Sequence, residues 1–493
     1  MFELLGGAIF AQLILYFASP IIMRLYGPEA FGTSQIIIVT AGAINMVSSL
    51  KYEEAIVLPK ERITSLYLSI LCIGLNLLFF GIVLMLILLL PISLSQNINP
   101  DIDRGLLLFI PIIFFLGGIV QVMEALFTKE KCFKQLAKYK INTAGIGVIT
   151  QITAGFLTHA SYFGLLLGKV CGPFFGTLLI TSDLYRSLKG NQKNFSWKEK
   201  NKKIATTLNI SLFRLKQKKI LKLAKRYKNF PIYNTLASIF NYLSTELPIW
   251  LFYSIYNTTI SGYFVGATII LRTPMKILGR SVAKVFLGFG AQAKREGKLD
   301  QTTLHAFTLC TYIGFCPGVL FLFLGSEITI ILGSQWYETG IFIQILAPSV
   351  IARFTASPIS KLFIIAEIQR TQVKMQITQF LFTLIITCIG ASIGGPRYAI
   401  AAFSLSATIK YLWFCYVLLG VAGVDKFKVW HSISRCLKYF IPLIIILSIF
   451  KHYLNIHGWV LISVTSIITL ITTFLCIKGD ELVKSDFKIL RNI

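Results

Sequence analysis

The run Thr64-Ser-Leu-Tyr-Leu-Ser-Ile-Leu-Cys-Ile-Gly-Leu-Asn-Leu-Leu-Phe-Phe-Gly-Ile-Val-Leu-Met-Leu-Ile-Leu-Leu-Leu-Pro-Ile92 contains no charged side chain. An α-helix needs about 20 predominantly apolar residues to cross a bilayer, so this run reads as a membrane span. It is one of fourteen such segments, near 3–23, 31–57, 64–92, 105–127, 141–159, 161–183, 231–256, 260–288, 303–325, 339–365, 373–393, 397–421, 437–451 and 459–477. The segment at 437–451 is the shortest. The 493-residue chain is 55% hydrophobic and 14% charged, with a mean hydropathy of +0.71, which excludes an ordinary soluble domain. The expected fold class is an all-α polytopic membrane protein of about 14 transmembrane helices. The first segment lacks a basic leader and a small-residue cleavage site, so it is expected to stay as a helix.

The net charge of +27 would point to nucleic acid in a soluble protein, but its distribution points elsewhere. With a cytoplasmic N-terminus, the inner connections and tail hold 35 Lys/Arg, whereas the outer connections hold four: Arg24, Arg104, Arg397 and Lys451. This positive-inside asymmetry predicts a multi-pass protein with both termini cytoplasmic and no nucleic-acid partner.

One long connection, 184–230, carries fifteen basic residues and one acid, Glu199. It divides the chain into an expected six-helix lobe (1–183), the basic loop (184–230), a second six-helix lobe (231–421) and a terminal helix pair with tail (422–493). Bundles joined this way hold substrate between them and alternate access. Within the loop, Leu212, Phe213, Ile220, Leu221 and Ala224 recur at roughly helical spacing among lysines. Two readings stay open: an interfacial helix on anionic headgroups, or a loop that only fixes topology.

No Walker loop, dinucleotide fingerprint or HExxH motif occurs, and no outer connection is large enough for a catalytic domain, so the chain is not expected to be an enzyme. The nine cysteines are scattered without metal spacing and the five histidines lie at segment ends or in loops, so no metal or cofactor is expected.

Nine cations lie inside the segments: Lys51, Lys169, Arg272, Lys276, Arg280, Lys284, Arg353, Lys361 and Lys410. A lipid-facing Arg or Lys at a helix centre costs roughly 2.5–3.5 kcal/mol. Such residues therefore snorkel, pair or face a wet cavity, and they mark a pathway or an anionic ligand. At 1.5 Å per residue, Arg272, Arg353 and Lys410 lie roughly 18–20 Å along their helices, and Lys276 about 18 Å from the inner end. Lys51, Arg280, Lys284 and Lys361 lie within about 10–12 Å of the cytoplasmic face, where snorkelling accounts for them equally well. Arg272, Lys276, Arg280 and Lys284 are spaced by four and form one stripe on the eighth helix. The stripe reads as a graded path for an anion, as a structural ion-paired stripe, or as a voltage sensor, though no pore loop or filter accompanies it.

Acids are fewer. Lys51 and Glu54 are three apart and can pair on one helical face. Glu246 stands mid-segment in Tyr242-Leu-Ser-Thr-Glu-Leu-Pro248, as a structural counter-ion or as a coupling group for protons or sodium. Gly164, Gly168, Gly172 and Gly176 share one face of the sixth helix, a packing signal. Lys169 adjoins that ridge.

Four stretches resemble the Wzx-type polysaccharide flippases of the multidrug/oligosaccharidyl-lipid/polysaccharide (MOP) exporter superfamily. They are Arg24-Leu-Tyr-Gly-Pro-Glu-Ala-Phe-Gly32 with Ser49-Leu-Lys-Tyr-Glu-Glu-Ala-Ile-Val-Leu-Pro59; Arg226-Tyr-Lys-Asn-Phe-Pro231 through Glu246-Leu-Pro-Ile-Trp250; Ser261-Gly-Tyr-Phe264 through Arg272-Thr-Pro-Met275 to Phe286; and Leu346-Ala-Pro-Ser-Val-Ile-Ala-Arg-Phe354 with Ser357-Pro-Ile-Ser360. The resemblance implies a MATE-like pair of lobes around a cationic central cavity. It also implies a substrate, an undecaprenyl-pyrophosphate-linked oligosaccharide repeat flipped across the inner membrane for O-antigen or capsule assembly, with polysaccharide polymerase machinery as a partner. The related lipid II flippases draw cavity cations from the first, second and eighth helices, which implies Arg24, Lys51 and Arg272 here. Arg272, Lys276, Arg353, Lys410, Lys51 and Arg24 are thus the expected substrate-binding cations, with Glu246 as coupling group or counter-ion. A cation-coupled drug exporter of the same fold is the alternative, although such a carrier should have central carboxylates rather than central cations.

Overall fold

A computed structural model describes residues 2–59, 61–89, 104–130, 132–189, 213–228, 230–366, 368–453 and 458–479. Hydrocarbon offers the backbone no hydrogen-bond partner, so apolar runs of span length satisfy their amides internally as helices. Fourteen long helices result among the described residues: α1 (Phe2–Leu25), α2 (Pro28–Ser48), α3 (Arg62–Leu89), α4 (Phe109–Lys129), α5 (Phe133–Leu157), α6 (Tyr162–Lys189), α7 (Thr235–Ile255), α8 (Thr258–Glu296), α9 (Leu299–Leu324), α10 (Tyr337–Ile359), α11 (Gln369–Ile393), α12 (Pro396–Val421), α13 (Lys426–His452) and α14 (Gly458–Gly479). Each falls on one expected segment. Eleven are long and apolar enough to cross a membrane by length and composition alone. The other three, α5, α7 and α8, carry lysines, Glu246 or the cationic stripe within their length. The chain is an all-helical multi-pass membrane protein.

Two segments differ from expectation. The run 437–451 is the end of a longer helix, since α13 starts at Lys426, where the Asp425 side chain accepts from the Phe427 amide at 3.0 Å. The segment 31–57 is not one helix. Helix α2 ends at Ser48, Leu50 and Lys51 take left-handed φ angles of 50° and 58°, and a single turn, Tyr52–Ala55, follows. Left-handed backbone at non-glycine residues costs roughly 1–2 kcal/mol each, so the surroundings must impose it. They do so through a polar knot. The Lys51 ammonium lies 3.4 Å from Glu53 and 3.9 Å from Glu54, and Ser49 donates to Glu53 at 2.5 Å. Continuing α2 would have pointed these charges around a helix surface in hydrocarbon.

The described chain forms two compact units, Met1–Tyr26 with Thr33–Glu246, and Gly27–Gly32 with Leu247–Ile493. In the first, α5 packs between α1 and α6, and α3 packs on α4. The glycine face of α6 makes the α5 contact. A Cβ on Gly172 would meet the Thr143 carbonyl oxygen at 2.7 Å, and one on Gly147 of α5 would meet the Gly168 carbonyl oxygen at 3.2 Å. Backbones this close have no room for side chains. The Tyr26 hydroxyl donates to the Gln151 carbonyl at 2.7 Å, and Asn76 of α3 donates to Phe115 of α4 at 2.9 Å.

In the second unit α10 is central, packed on α8, α9 and α12, while α11 packs on α12. Trp336, fully buried before α10, meets Phe31 at 5.2 Å and Tyr263 at 6.3 Å. The terminal pair belongs to this unit and leans on α9: Phe440 and Leu443 of α13 pack with Tyr312 and Phe323 of α9. Thr308 bonds Ser432 at 3.0 Å, and Lys451 donates to the Phe323 carbonyl at 2.8 Å. Helix α8 runs 39 residues, from an Asn257 cap that accepts the Ile260 amide at 2.8 Å to Gly297 at φ 70°. At 1.5 Å per residue it is about 58 Å long, well beyond a hydrocarbon core of about 30 Å.

Because the α5–α6 contact lacks side-chain room, Gly172→Val is expected to cost about 1–3 kcal/mol through overpacking. Gly74→Ala, where an added Cβ meets nothing within 4 Å, should leave the melting temperature of the purified protein unchanged or slightly raised.

Candidate functional site

Helices α8, α10 and α12 carry the cations Arg272, Arg353 and Lys410; Arg353 lies nearer a helix end than its expected depth, six residues before α10 stops at Ile359, about 9 Å. Because α10 packs on both neighbours, the three fall into one neighbourhood. Lys410 is buried, and its ammonium sits 4.8 Å from the centre of the adjacent Tyr411 ring, a cation–π distance. Arg353 and Arg272, both half-buried, lie close enough to act electrostatically on the Lys410 ammonium and on the Tyr411 hydroxyl. Three like charges in a low-dielectric surround repel strongly. Such a cluster is chemically suited to a compact polyanion, which Arg binds with two parallel hydrogen bonds.

On the cytoplasmic-facing flank expected from the charge pattern, the same helices close over an apolar core. Phe286 of α8, Phe307 of α9, Ile359 of α10 and Leu418 of α12 are buried together there, and Tyr411 packs against this cluster from the cation side. The ring thus joins the charged neighbourhood to the core. Reading the sequence singled out Lys410 but not Tyr411; the signal was an aromatic directly beside an intramembrane lysine.

The remaining expected residues are placed differently. Lys276, Arg280 and Lys284 continue along α8, but their side chains lie outside the described residues. Lys361 sits half-buried in the turn after α10. In the first unit, Arg24 is exposed in the last turn of α1. Lys169 is exposed on α6. Glu246 is half-buried in α7, two residues before the internal Pro248. Lys51 is buried, but its charge is committed to Glu53 and, at longer range, Glu54. The expected Lys51–Glu54 pair therefore exists with a geometry of its own: Lys51 lies in the left-handed turn rather than on a shared helical face, and Glu53 is its nearer partner. Glu54 also accepts from Asn234 at 2.9 Å.

A family model for polysaccharide biosynthesis proteins matches residues 21–202 and 203–341. The chain belongs to that family. The Wzx-type resemblance carried by the four quoted stretches is in keeping with this membership. No curated protein sequence matches the chain. Among solved structures, the lipid II flippase MurJ in an inward closed conformation is similar with a TM-score of 0.67 at 12% identity, over 97% of this chain and 98% of that one. An inward-facing multidrug resistance MATE family transporter of the MOP superfamily gives 0.60 at 13% identity, over 84% and 96%. A MOP superfamily transporter from Pyrococcus furiosus, whose binding pocket is described as having reverse polarity, gives 0.56 at 13%, over 86% and 96%. The fold of this polysaccharide biosynthesis protein is therefore that of the MurJ flippase and of MOP transporters.

The Lys51 knot makes a specific expectation. Lys51→Met strands the buried Glu53 carboxylate and should destabilise the purified protein by about 3–5 kcal/mol. The double variant Lys51→Met with Glu53→Gln should recover much of that loss. Thermal unfolding of both single variants and the double variant checks the coupling.

Proposed function

We propose that this protein flips an undecaprenyl-pyrophosphate-linked oligosaccharide repeat from the inner to the outer leaflet of the cytoplasmic membrane, for surface polysaccharide such as O-antigen or capsule. The observation that carries the reading is the meeting of Arg272, Arg353 and Lys410 on three adjacent helices. A pyrophosphate bears its charge in a compact headgroup, and binding it would relieve the mutual repulsion of these cations. Each Arg supplies a planar fork for phosphate oxygens, and Lys410 supplies a point charge held against Tyr411. Lys276 follows Arg272 by one turn along α8.

Family membership and the MOP fold support transport in polysaccharide synthesis. In this reading the protein resides in the inner membrane with both termini cytoplasmic, and alternating access carries the headgroup across. Lys51, already neutralised by its glutamates, shapes the turn after α2 rather than meeting the headgroup.

The test combines deletion of the gene with two charge reversals. Deletion is expected to accumulate lipid-linked repeats facing the cytoplasm, and Arg272→Glu and Arg353→Glu should each cut surface polysaccharide to below about a tenth at normal protein level, since like-charge juxtaposition opposes binding. Full surface polysaccharide in both reversals would remove the cluster from transport. Unchanged lipid-linked intermediates on deletion, with altered drug resistance, would favour the exporter.

A further inference from the structure

Between α6 and α7 a helix of 14 residues, Phe213–Arg226, lies against the first unit. Its sequence has the amphipathic spacing of an interfacial helix, which would ordinarily lay its apolar side into lipid. The structure uses that side differently. Ile220, Leu223, Ala224 and the following Tyr227 are half-buried, and Leu223, Ala224 and Tyr227 pack on the cluster of Tyr52, Ile56, Leu68, Cys72 and Val122. The Tyr52 hydroxyl donates to the Ala224 carbonyl at 3.0 Å, which fixes the helix to the turn that holds Lys51. Among the described side chains, the apolar face is thus spent on protein.

What faces outward is charge. Lys219, Lys222, Lys225, Arg226 and, just past the helix, Lys228 are exposed. Set among them is Leu221, 63% exposed. The helix lies near the end of α3 that begins at Arg62, since Leu68 and Cys72 are about 9–15 Å along it. The helix itself leads within nine residues into α7, which starts at Thr235. Its basic face is therefore held where spans enter the bilayer. Four to eight cations beside a transmembrane helix form a favourable surface for anionic headgroups.

We infer that the outward face formed by Lys219, Lys222, Lys225, Arg226 and Lys228 binds the anionic headgroups of the adjoining lipid surface. The binding is electrostatic rather than insertional, because one leucine is the exposed apolar side chain among the described residues of this face.

The full-length chain, purified and delipidated, is titrated with phosphatidylglycerol or phosphatidylcholine, and retained lipid is counted by native mass spectrometry. The wild type is expected to prefer phosphatidylglycerol. The combined Lys219→Gln, Lys222→Gln, Lys225→Gln and Arg226→Gln variant should lose that preference by about tenfold or more while keeping its melting temperature. Equal preference in that variant overturns the inference, and would leave an acidic soluble protein as the occupant of the face. Should the variant fold poorly, the wild type in nanodiscs decides: its preference must fall steeply between 50 and 500 mM salt, as the Debye length shrinks from about 14 to about 4 Å, and a salt-independent preference overturns the inference equally.

Discussion

Arg272 and Arg353 act on the buried Lys410 ammonium from neighbouring helices, and the cost of gathering positive charge inside a helical bundle is the demand that the second unit has to meet. Charges inside a bundle pair, bond to backbone carbonyls, or face water or an anion. Helix α10 makes the arrangement obligatory, because it packs at once on α8, α9 and α12. Below the cations, buried side chains of the same helices form a continuous apolar core, so the charges cannot part without breaking well-packed contacts. The terminal pair covers α9, and its connecting ends are tied down where Lys451 donates to the Phe323 carbonyl and the Gly458 amide donates to Glu327.

The first unit solves a different problem. Its close helix contact, α5 on α6, is made by glycines whose missing side chains let backbones meet. Two of its cations are paired: Lys51 is neutralised in a left-handed turn by Glu53 and Glu54, and Lys140 meets Glu124 at 3.1 Å. A residue so paired offers little net charge to a ligand.

Much of this was legible in the chain. Apolar runs of span length fixed the helices, because in hydrocarbon no other backbone arrangement satisfies its own amides. The glycine spacing in α6 announced a tight contact, and the depth of Arg272, Arg353 and Lys410 singled them out. What could not be read was lateral placement. Nothing in the spacing of residues 272, 353 and 410 says that their helices adjoin, and nothing around Ser49 announces that α2 stops there. Hydropathy averages across Ser48–Glu54 as if it were one span, whereas the ion pairs of Lys51 demand a turn. The basic helix was legible as amphipathic, but which partner its apolar side would take depended on Tyr52 and Ile56, more than 150 residues away.

The central claim is that the cluster around Lys410 holds a diphosphate headgroup. Equilibrium binding of undecaprenyl diphosphate to the purified full-length chain tests it most directly, comparing the wild type with Arg272→Gln, Arg353→Gln and Lys410→Gln. Each substitution removes one charge-assisted contact and should weaken binding by about tenfold or more. Undiminished affinity in all three would contradict the account.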